Sequence, residues 1–275
     1  MDDVSDAAVA ADGPHRPPGP PDPPGPGRPG RPPRRGTLRV YLGAAPGVGK
    51  TYAMLGEGLR RASRGTDVVV GLVETHGRAH TQDLLAGLEA VPRRASSYRG
   101  ATLEEMDVDA VLERAPDVAL VDELAHTNVP GSRHEKRWQD VEELLAAGID
   151  VITTVNVQHL ESLNDVVAAI TGIRQQETVP DEVVRRADQV QLVDMTPEAL
   201  RRRMAHGNIY PADKIDAALG NYFRPGNLTA LREVALLWVA DRVDDALDRR
   251  WPLAVPEGRG LRGAASVRAG AAEEA

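Results

Sequence analysis

The sequence predicts an α/β fold in which a mostly parallel β-sheet is flanked by helices and followed by a helical C-terminal part. Five short apolar runs, separated by helical stretches, support this fold: 38–42, 68–73, 118–121, 151–155 and 190–193. Near-continuous apolar strands that alternate with helices are typical of a parallel sheet buried on both faces. A glycine-rich turn after the first run adds the expectation of a phosphate-loop NTPase-like architecture.

Helices are predicted between and after these strands. The segment 51–65 ends at a glycine with arginines in its last turn, and the segment 137–148 also ends at a glycine. From residue 196 onward no strand pattern recurs, and 196–207 and 227–250 are predicted to be helical. The last segment carries apolar residues at helical spacing that we expect to face the core: Leu228, Leu231, Ala235, Trp238 and Val239.

Composition predicts three parts of the chain. Residues 1–36 contain 11 of the 21 prolines, which predicts a disordered tail rich in Pro, Gly and Arg, with a proline-rich docking ligand as the alternative. Residues 37–250 form the predicted domain. Residues 251–275 are expected to be a flexible C-terminal tail.

Bulk composition narrows the functional class. The chain is 41% hydrophobic and 27% charged, with no apolar run long enough to cross a bilayer and no pattern of a secretory signal, so we expect a cytoplasmic protein. A net charge of −8 argues against direct nucleic-acid binding, which usually requires a basic surplus. The absence of cysteine excludes disulfides and thiolate metal sites.

The glycine-rich turn is the strongest candidate site. Its residues precede Lys50 and Thr51 and would offer backbone N–H groups to an anion: Ala44, Ala45, Pro46, Gly47, Val48 and Gly49. Lys50 would reach the β- and γ-phosphates of a nucleotide, and Thr51 would offer its hydroxyl to Mg²⁺. Ala44 replaces the usual first glycine, a position that needs only a small residue. An incidental glycine-rich turn is the alternative.

A second part of the site is predicted after the third apolar run, where Asp122 and Glu123 follow directly. The carboxyl edge of a parallel sheet is where ligands of such folds bind. Asp122 is therefore expected to hold Mg²⁺ through water, and Glu123 to polarise an attacking water. Alternatively, the two acids cap a strand and face solvent.

Two further groups follow strands. Glu74 and Arg78 are predicted either to contact nucleotide or magnesium, or to form an ordinary loop ion pair. His76 and His80 have the i, i+4 spacing of metal ligands but lack a third ligand in view.

The segment 126–138 follows Asp122 and Glu123 and is rich in basic residues. Arg133, His134, Lys136 and Arg137 would form either a switch loop beside the γ-phosphate or a solvated basic loop. Later in the chain, Thr154 and Asn156 end a strand. Their side chains would either sense phosphate or cap the next helix.

These segments also carry a family resemblance. "GAAPGVGKTYAML", "VETHGR", the block from "LVDELAHTN" to "ESLNDVV", and "GNLTALREVALLWVADRVD" resemble the N-terminal cytoplasmic domain of the KdpD family, over about residues 37–250. Members are potassium- and turgor-responsive bacterial sensor histidine kinases. The resemblance implies an ATP-binding domain, with Mg²⁺, that adjusts the kinase and phosphatase activities of an attached transmitter. Residues 44–51 match its phosphate loop and 118–123 its magnesium strand.

A full member of that family continues into a universal-stress-like domain, four membrane helices and a histidine kinase core. No segment here fits those parts, so we expect no autophosphorylation by this chain alone. The leading hypothesis is an ATP-binding regulatory protein that acts through a sensor histidine kinase, a response regulator or a potassium-pump component, with recruitment by that partner to the inner face of the membrane. The alternatives are a free-standing ATPase or small-molecule kinase, with Glu123 and Lys50 as catalytic residues, and a scaffold that has lost nucleotide binding.

Overall fold

A computed structural model describes residues 34–98, 100–206 and 219–250 of the chain. The strands are β1 (Leu38–Gly43), β2 (Val68–Leu72), β3 (Glu89–Ala90), β4 (Arg94–Tyr98), β5 (Ala101–Glu105), β6 (Val118–Val121), β7 (Asp150–Asn156) and β8 (Gln189–Val193). The helices are α1 (Lys50–Ala62), α2 (Ala79–Leu85), α3 (Val108–Arg114), α4 (Arg137–Ala146), α5 (Asn164–Thr171), α6 (Asp181–Arg185), α7 (Pro197–Ala205) and α8 (Pro225–Arg250). The predicted tail up to residue 33 and the predicted tail 251–275 lie outside the described residues.

Six strands form one sheet in the order β3-β2-β6-β7-β1-β8, and every pairing within it is parallel. A separate antiparallel hairpin is formed by β4 and β5. The predicted α/β fold with a mostly parallel sheet is thus confirmed. All five predicted strands occur, with ends that differ by at most one residue from the apolar runs. Their apolar character follows from burial, since the central strands are covered on both faces.

The sheet separates two apolar core clusters, as the alternation of β1 shows. Val40 and Leu42 belong to one cluster, whereas Tyr41, between them, belongs to the other. Successive side chains of a strand point to opposite faces, so one strand supplies both layers. Helix α1 packs so closely on the sheet that a Cβ on Gly58 would lie 2.6 Å from Leu120 Cδ1.

The helical C-terminal part is also confirmed. Helix α8 buries the predicted stripe, with Leu228, Leu231, Ala235 and Trp238 at most 5% exposed and Val239 partly buried. No helix among the described residues combines the length and apolar character that crossing a membrane requires. Sequence patterns did not predict β3, the β4–β5 hairpin or the helices α2, α3, α5 and α6, which have only two to eight residues each.

Candidate functional site

The candidate site lies where three adjacent strands end. Strands β6, β7 and β1 are neighbours in the sheet, and they run parallel, so their carboxyl ends meet at one edge. Asp122 follows β6, Asn156 ends β7, and the loop from Ala44 to Gly49 follows β1. The strand order therefore brings together residues that lie more than 100 positions apart in sequence.

The loop after β1 depends on glycine. Gly47 and Gly49 adopt left-handed backbone angles, φ 86° and 105°, which other residues rarely adopt. Gly49 is the N-cap of α1, so Lys50 occupies the first position of that helix. A Cβ on Gly43 would lie 2.7 Å from Val48 Cγ2 and 2.9 Å from Lys50 Cδ. The glycine at position 43 thus leaves room for the Lys50 side chain to pass.

Lys50 crosses from the loop to the end of β7. Its Nζ donates a hydrogen bond to Asn156 Oδ1. Burial lowers the pKa of Lys50 to about 8, although the charges of Asp122 and Glu123 act in the opposite direction. An ammonium group in this environment gains from a further anionic partner, because the charged form is otherwise poorly solvated.

Asp122 is the acidic centre of the site and is only 2% exposed. Its Oδ2 accepts a hydrogen bond from Thr51 Oγ1 at 3.0 Å, and its Oδ1 accepts one from Thr154 Oγ1. Burial raises the pKa of Asp122, while these hydrogen bonds and Lys50 favour its ionised form. The carboxylate is thus oriented by hydroxyl groups from two separate elements. It does not face solvent as a strand cap would.

Glu123 lies beside this centre in an unusual conformation. Its φ of 58° and the φ of 49° at His76 are both left-handed values, and His76 Nε2 lies 3.5 Å from Glu123 Oε1. Arg137 NH1 lies 3.8 Å from Glu123 Oε2. The hydrogen bond from His76 lowers the pKa of Glu123 and raises the pKa of His76. Side chains that rarely adopt φ > 0 do so here at a candidate site, where such strain is common.

Arg137 is the buried support behind these acids. Its side chain is 3% exposed, and it donates to Glu105 Oε2 at 3.0 Å and to the carbonyl oxygen of Asp122 at 3.2 Å. Glu105 Oε1 also accepts from the Val129 N–H at 3.0 Å and lies 3.0 Å from His126 Nε2. Burial acts to raise the pKa of Glu105, but His126 and Arg137 outweigh it and the pKa is lowered.

The other basic residues of the segment 126–138 have partners within the fold. Arg133 pairs with Asp109 and with Glu143, and His134 Nδ1 lies 2.8 Å from Asp140 Oδ1. Lys136 Nζ donates to Thr127 Oγ1 at 2.7 Å. Of the four predicted basic groups, Arg137 is the one whose contacts, given above, reach Asp122 and Glu123. The solvated-loop interpretation is therefore wrong for Arg137.

Glu74 emerges after β2 and forms an ion pair with Arg93, at 2.7 Å. Arg78 forms the N-cap of α2, and His80 lies in the first turn of that helix. Among the described residues no group of three His, Cys, Asp or Glu side chains could hold a metal ion. His76 instead contacts Glu123, as described above.

Thr154 and Asn156 were predicted either to sense phosphate or to cap a helix. Asn156 precedes the 3-10 turn Val157–His159 without a side-chain capping bond, and both residues contact the site, through Asp122 and Lys50. Three residues near the site were not predicted from the sequence: Gln158, Tyr222 and Phe223. Tyr222 donates a hydrogen bond to Gln158, and Phe223 belongs to one apolar cluster with Ala45 and Val48. Gln158 lies just after the end of β7. The polar residues at the ends of parallel strands meet at one edge of the sheet, and this rule, which identified Asn156, would also have identified Gln158. No local signal marks the two aromatic residues.

These side chains are of the types that could hold a magnesium–nucleoside triphosphate. The ammonium of Lys50, the hydroxyl of Thr51 and the carboxylate of Asp122 lie at the N-terminus of α1, a helix of 13 residues. Two glycines with left-handed backbone angles precede this helix. Helix N-termini favour phosphate, and Mg²⁺ prefers oxygen ligands from one or two protein groups plus substrate phosphates. The buried Asp122 and the desolvated Lys50 are the observations that support this fit.

Fold and site together define an α/β protein in which Lys50, Thr51 and the buried Asp122 lie at the carboxyl edge of a parallel sheet. Comparison with known proteins adds the family. The family model described as "KdpD: Osmosensitive K+ channel His kinase sensor domain" matches residues 34–243, so the chain belongs to that family. The resemblance predicted from the sequence is thereby confirmed.

Three relatives illustrate the similarity. The chain is 70% identical over 209 residues to "Sensor protein KdpD" of Mycobacterium tuberculosis, covering 76% of this chain and 24% of that protein. It is 57% identical over 219 residues to "Sensor protein KdpD" of Escherichia coli, covering 80% and 24%. It is 55% identical over 212 residues to "Putative sensor protein KdpD" of Synechocystis, covering 77% and 57%. The chain thus spans about a quarter of the length of the first two relatives.

Proposed function

We propose that this chain is an ATP-binding regulatory domain of a KdpD-type two-component system for potassium and osmotic response. The observation that carries the proposal is the meeting of Lys50 and Thr51 with Asp122 and Asn156 at the N-terminus of α1. Family membership supplies the sensory context, because the matching model describes an osmosensitive sensor domain.

The proposed ATP contacts follow from the positions of the residues. The backbone of Ala44, Ala45, Pro46, Gly47, Val48 and Gly49 would surround the phosphates. Lys50 would exchange part of its contact with Asn156 for phosphate oxygens, and Thr51 and Asp122 would hold Mg²⁺, directly or through water. Bound Mg²⁺ would supply charge neutralisation on the phosphates. Glu74, held by Arg93 beside the strand edge, remains a proposed outer contact of the nucleotide.

The environment of Glu123 favours slow ATP hydrolysis. Glu123 and Lys50 are the proposed catalytic residues. His76 and Arg137 stabilise the ionised form of the Glu123 carboxylate. A carboxylate with a lowered pKa is a weak proton acceptor, so Glu123 would orient water better than it would deprotonate it. A weak ATPase suits a domain that reports nucleotide state. A free-standing ATPase or small-molecule kinase is the second candidate, and the extra carboxylate of Glu123 beside Asp122 suits hydrolysis better than group transfer.

The proposed partners are a sensor histidine kinase, a response regulator or a potassium-pump component. The relatives named "Sensor protein KdpD" are about four times the aligned length, so most of their sequence has no counterpart in the described part of this chain. We place the domain in the cytoplasm, at the inner face of the membrane when a partner recruits it. Its role there would be to report ATP occupancy to that partner.

Titration with a fluorescent ATP analogue and Mg²⁺ tests nucleotide binding. Lys50→Ala should weaken binding by about 2 kcal/mol or more, roughly thirtyfold, because a charge-assisted phosphate contact is lost. Arg174→Ala is the matched control, since Arg174 forms a surface ion pair with Asp165 and has no proposed phosphate contact. Equal affinities of wild type and Lys50→Ala, with both proteins folded by circular dichroism, would refute the proposal.

Steady-state hydrolysis separates the two candidate functions. A regulatory domain should turn over ATP slowly, and Glu123→Gln should lower that rate while the affinity for ATP changes little. Rapid consumption of ATP that depends on one added metabolite would favour the small-molecule kinase instead.

A further inference from the structure

The candidate loop is covered on its outer side by the helical C-terminal part. Ala45 and Val48 are 1% and 4% exposed, and they belong to a small apolar cluster separate from the two main cores. The cluster is completed by residues of α7, of α8 and of the segment between them: Leu200, Met204, Phe223 and Leu228. Two side chains of the loop are therefore buried against the helical C-terminal part.

A second contact reaches the end of β7. The hydroxyl of Tyr222 donates a hydrogen bond to Gln158 Oε1, and Gln158 Nε2 donates to Gln175 Oε1 at 3.2 Å. Gln158 is 6% exposed and lies two residues after Asn156, the partner of Lys50. Both ends of this buried amide are thus engaged, so its position is well determined.

Two consecutive residues make these contacts. The rings of Tyr222 and Phe223 have centroids 5.3 Å apart and are tilted by 55°, so they form one aromatic pair. The guanidinium of Arg201 donates to the carbonyl oxygens of Phe223 and Leu219, the latter at 3.1 Å. This arrangement holds the pair between the candidate loop on one side and the end of β7 on the other.

The aromatic pair leads directly into α8, which begins at Pro225. Further along that helix, Arg232 forms a two-pronged ion pair with Asp194, at 2.6–2.9 Å, and Trp238 Nε1 donates to Asp181 Oδ2 at 3.0 Å. Protein interiors are close-packed, so a displacement of the loop side chains displaces the residues that pack on them. The pair consequently connects the candidate site to a long helix on the surface of the sheet.

We infer that Tyr222 and Phe223 are positioning residues of the nucleotide site, and that through them α8 is the element that responds when the site is occupied. This inference rests on the proposed ATP binding and adds the route by which binding is transmitted. Phe223 positions the loop through the apolar cluster that it shares with Ala45 and Val48. Tyr222 fixes Gln158 and, through the end of β7, the Asn156 partner of Lys50.

The test compares nucleotide affinity in full-length variants. Phe223→Ala removes the ring and should weaken binding of the ATP analogue by about tenfold, whereas Phe223→Leu should retain most of it. Tyr222→Phe removes one hydrogen bond and should weaken binding by about fivefold. Leu237→Ala is the control, because Leu237 lies on α8 with 70% of its surface exposed. This variant should bind the ATP analogue with the affinity of the wild type.

A second measurement distinguishes positioning from general stability. Hydrogen exchange of residues 225–243 is measured with and without ATP and Mg²⁺. ATP should alter exchange in wild type and in Phe223→Leu, and this difference should be reduced in Phe223→Ala and Tyr222→Phe even where unfolding temperatures match. If Phe223→Ala does not fold, Tyr222→Phe decides the question.

The outcomes separate the two proposals. The inference would be overturned if the wild type binds ATP, both aromatic variants bind it with unchanged affinity, and hydrogen exchange in α8 does not depend on ATP. The proposed function would then still stand. Failure of wild type to bind ATP would overturn the proposed function and the inference together.

Discussion

Removing the Arg137 guanidinium is the sharpest test of how the site is supported. Arg137 and Glu105 have side chains 3% and 8% exposed and are joined at 3.0 Å, so neither charge is well solvated. Arg137→Met keeps much of the buried aliphatic volume but leaves Glu105 with only His126 and the Val129 N–H among the partners described above. It also removes the donor to the Asp122 carbonyl.

Breaking a buried ion pair by removing one partner costs about 3–5 kcal/mol, because an uncompensated charge stays buried. A domain of ordinary stability has only about 5–15 kcal/mol in total, so this loss is large. The double variant Arg137→Met/Glu105→Gln should lose less free energy of unfolding than the sum of the single variants, since no charge is left without its partner.

Urea unfolding followed by circular dichroism measures these differences. The control is Arg174→Met, because Arg174 pairs with Asp165 at the surface, with side chains 63% and 82% exposed, and should change stability by about 0.5 kcal/mol or less. A loss below about 1 kcal/mol for Arg137→Met, at an unchanged slope, would refute the assignment of Arg137 as a buried support.

Two further predictions concern the strained site and the start of the sheet. An NMR titration should place the pKa of His76 above the usual value of about 6.5 and return it towards that value in Glu123→Gln, because Glu123 raises it. The stability that this pair contributes should be complete between about pH 4.5 and 6.5, where Glu123 is ionised and His76 is protonated. It should be lost as the pH rises through the raised pKa of His76 or falls through the lowered pKa of Glu123, and a constant free energy of unfolding as the pH rises above about 6.5 would contradict this prediction. Gly36→Ala should lower the free energy of unfolding by about 1–3 kcal/mol, because the new Cβ would lie 1.9 Å from the Ile149 carbonyl oxygen. Gly226→Ala is the control and should not lower it, because nothing lies within 4 Å of the new Cβ there. Equal stabilities of the two variants in urea unfolding would contradict this prediction.

Several parts of the site could be predicted from sequence because they obey one geometric rule. Apolar runs marked β1, β6 and β7, and the polar residue after each run had to emerge at the same sheet edge once the strands were parallel. Asp122 and Asn156 were found in this way, whereas Lys50 was found from the glycine-rich turn that precedes it. Whether they bind ATP and Mg²⁺ stays a prediction, and the titration above tests it.

Other features had no local signal. The hairpin of β4 and β5 is short, lies outside the main sheet and lacks the long apolar runs that mark a buried strand, so its buried residue Glu105 could not be recognised. His76 has the spacing of a metal ligand to His80, yet its left-handed backbone turns it towards Glu123. Glu74 likewise forms an ion pair with Arg93, which lies 19 residues further along the chain.

The sequence by itself determined the α/β class, the central strands, the buried stripe of α8 and the family, because apolar periodicity and local motifs are properties of neighbouring residues. Only the tertiary structure decided the strand order, the burial of Arg137 behind Asp122 and the packing of Phe223 on the loop. These contacts join residues far apart in the chain, and their partners are selected by burial, charge pairing and shape, which no local pattern encodes.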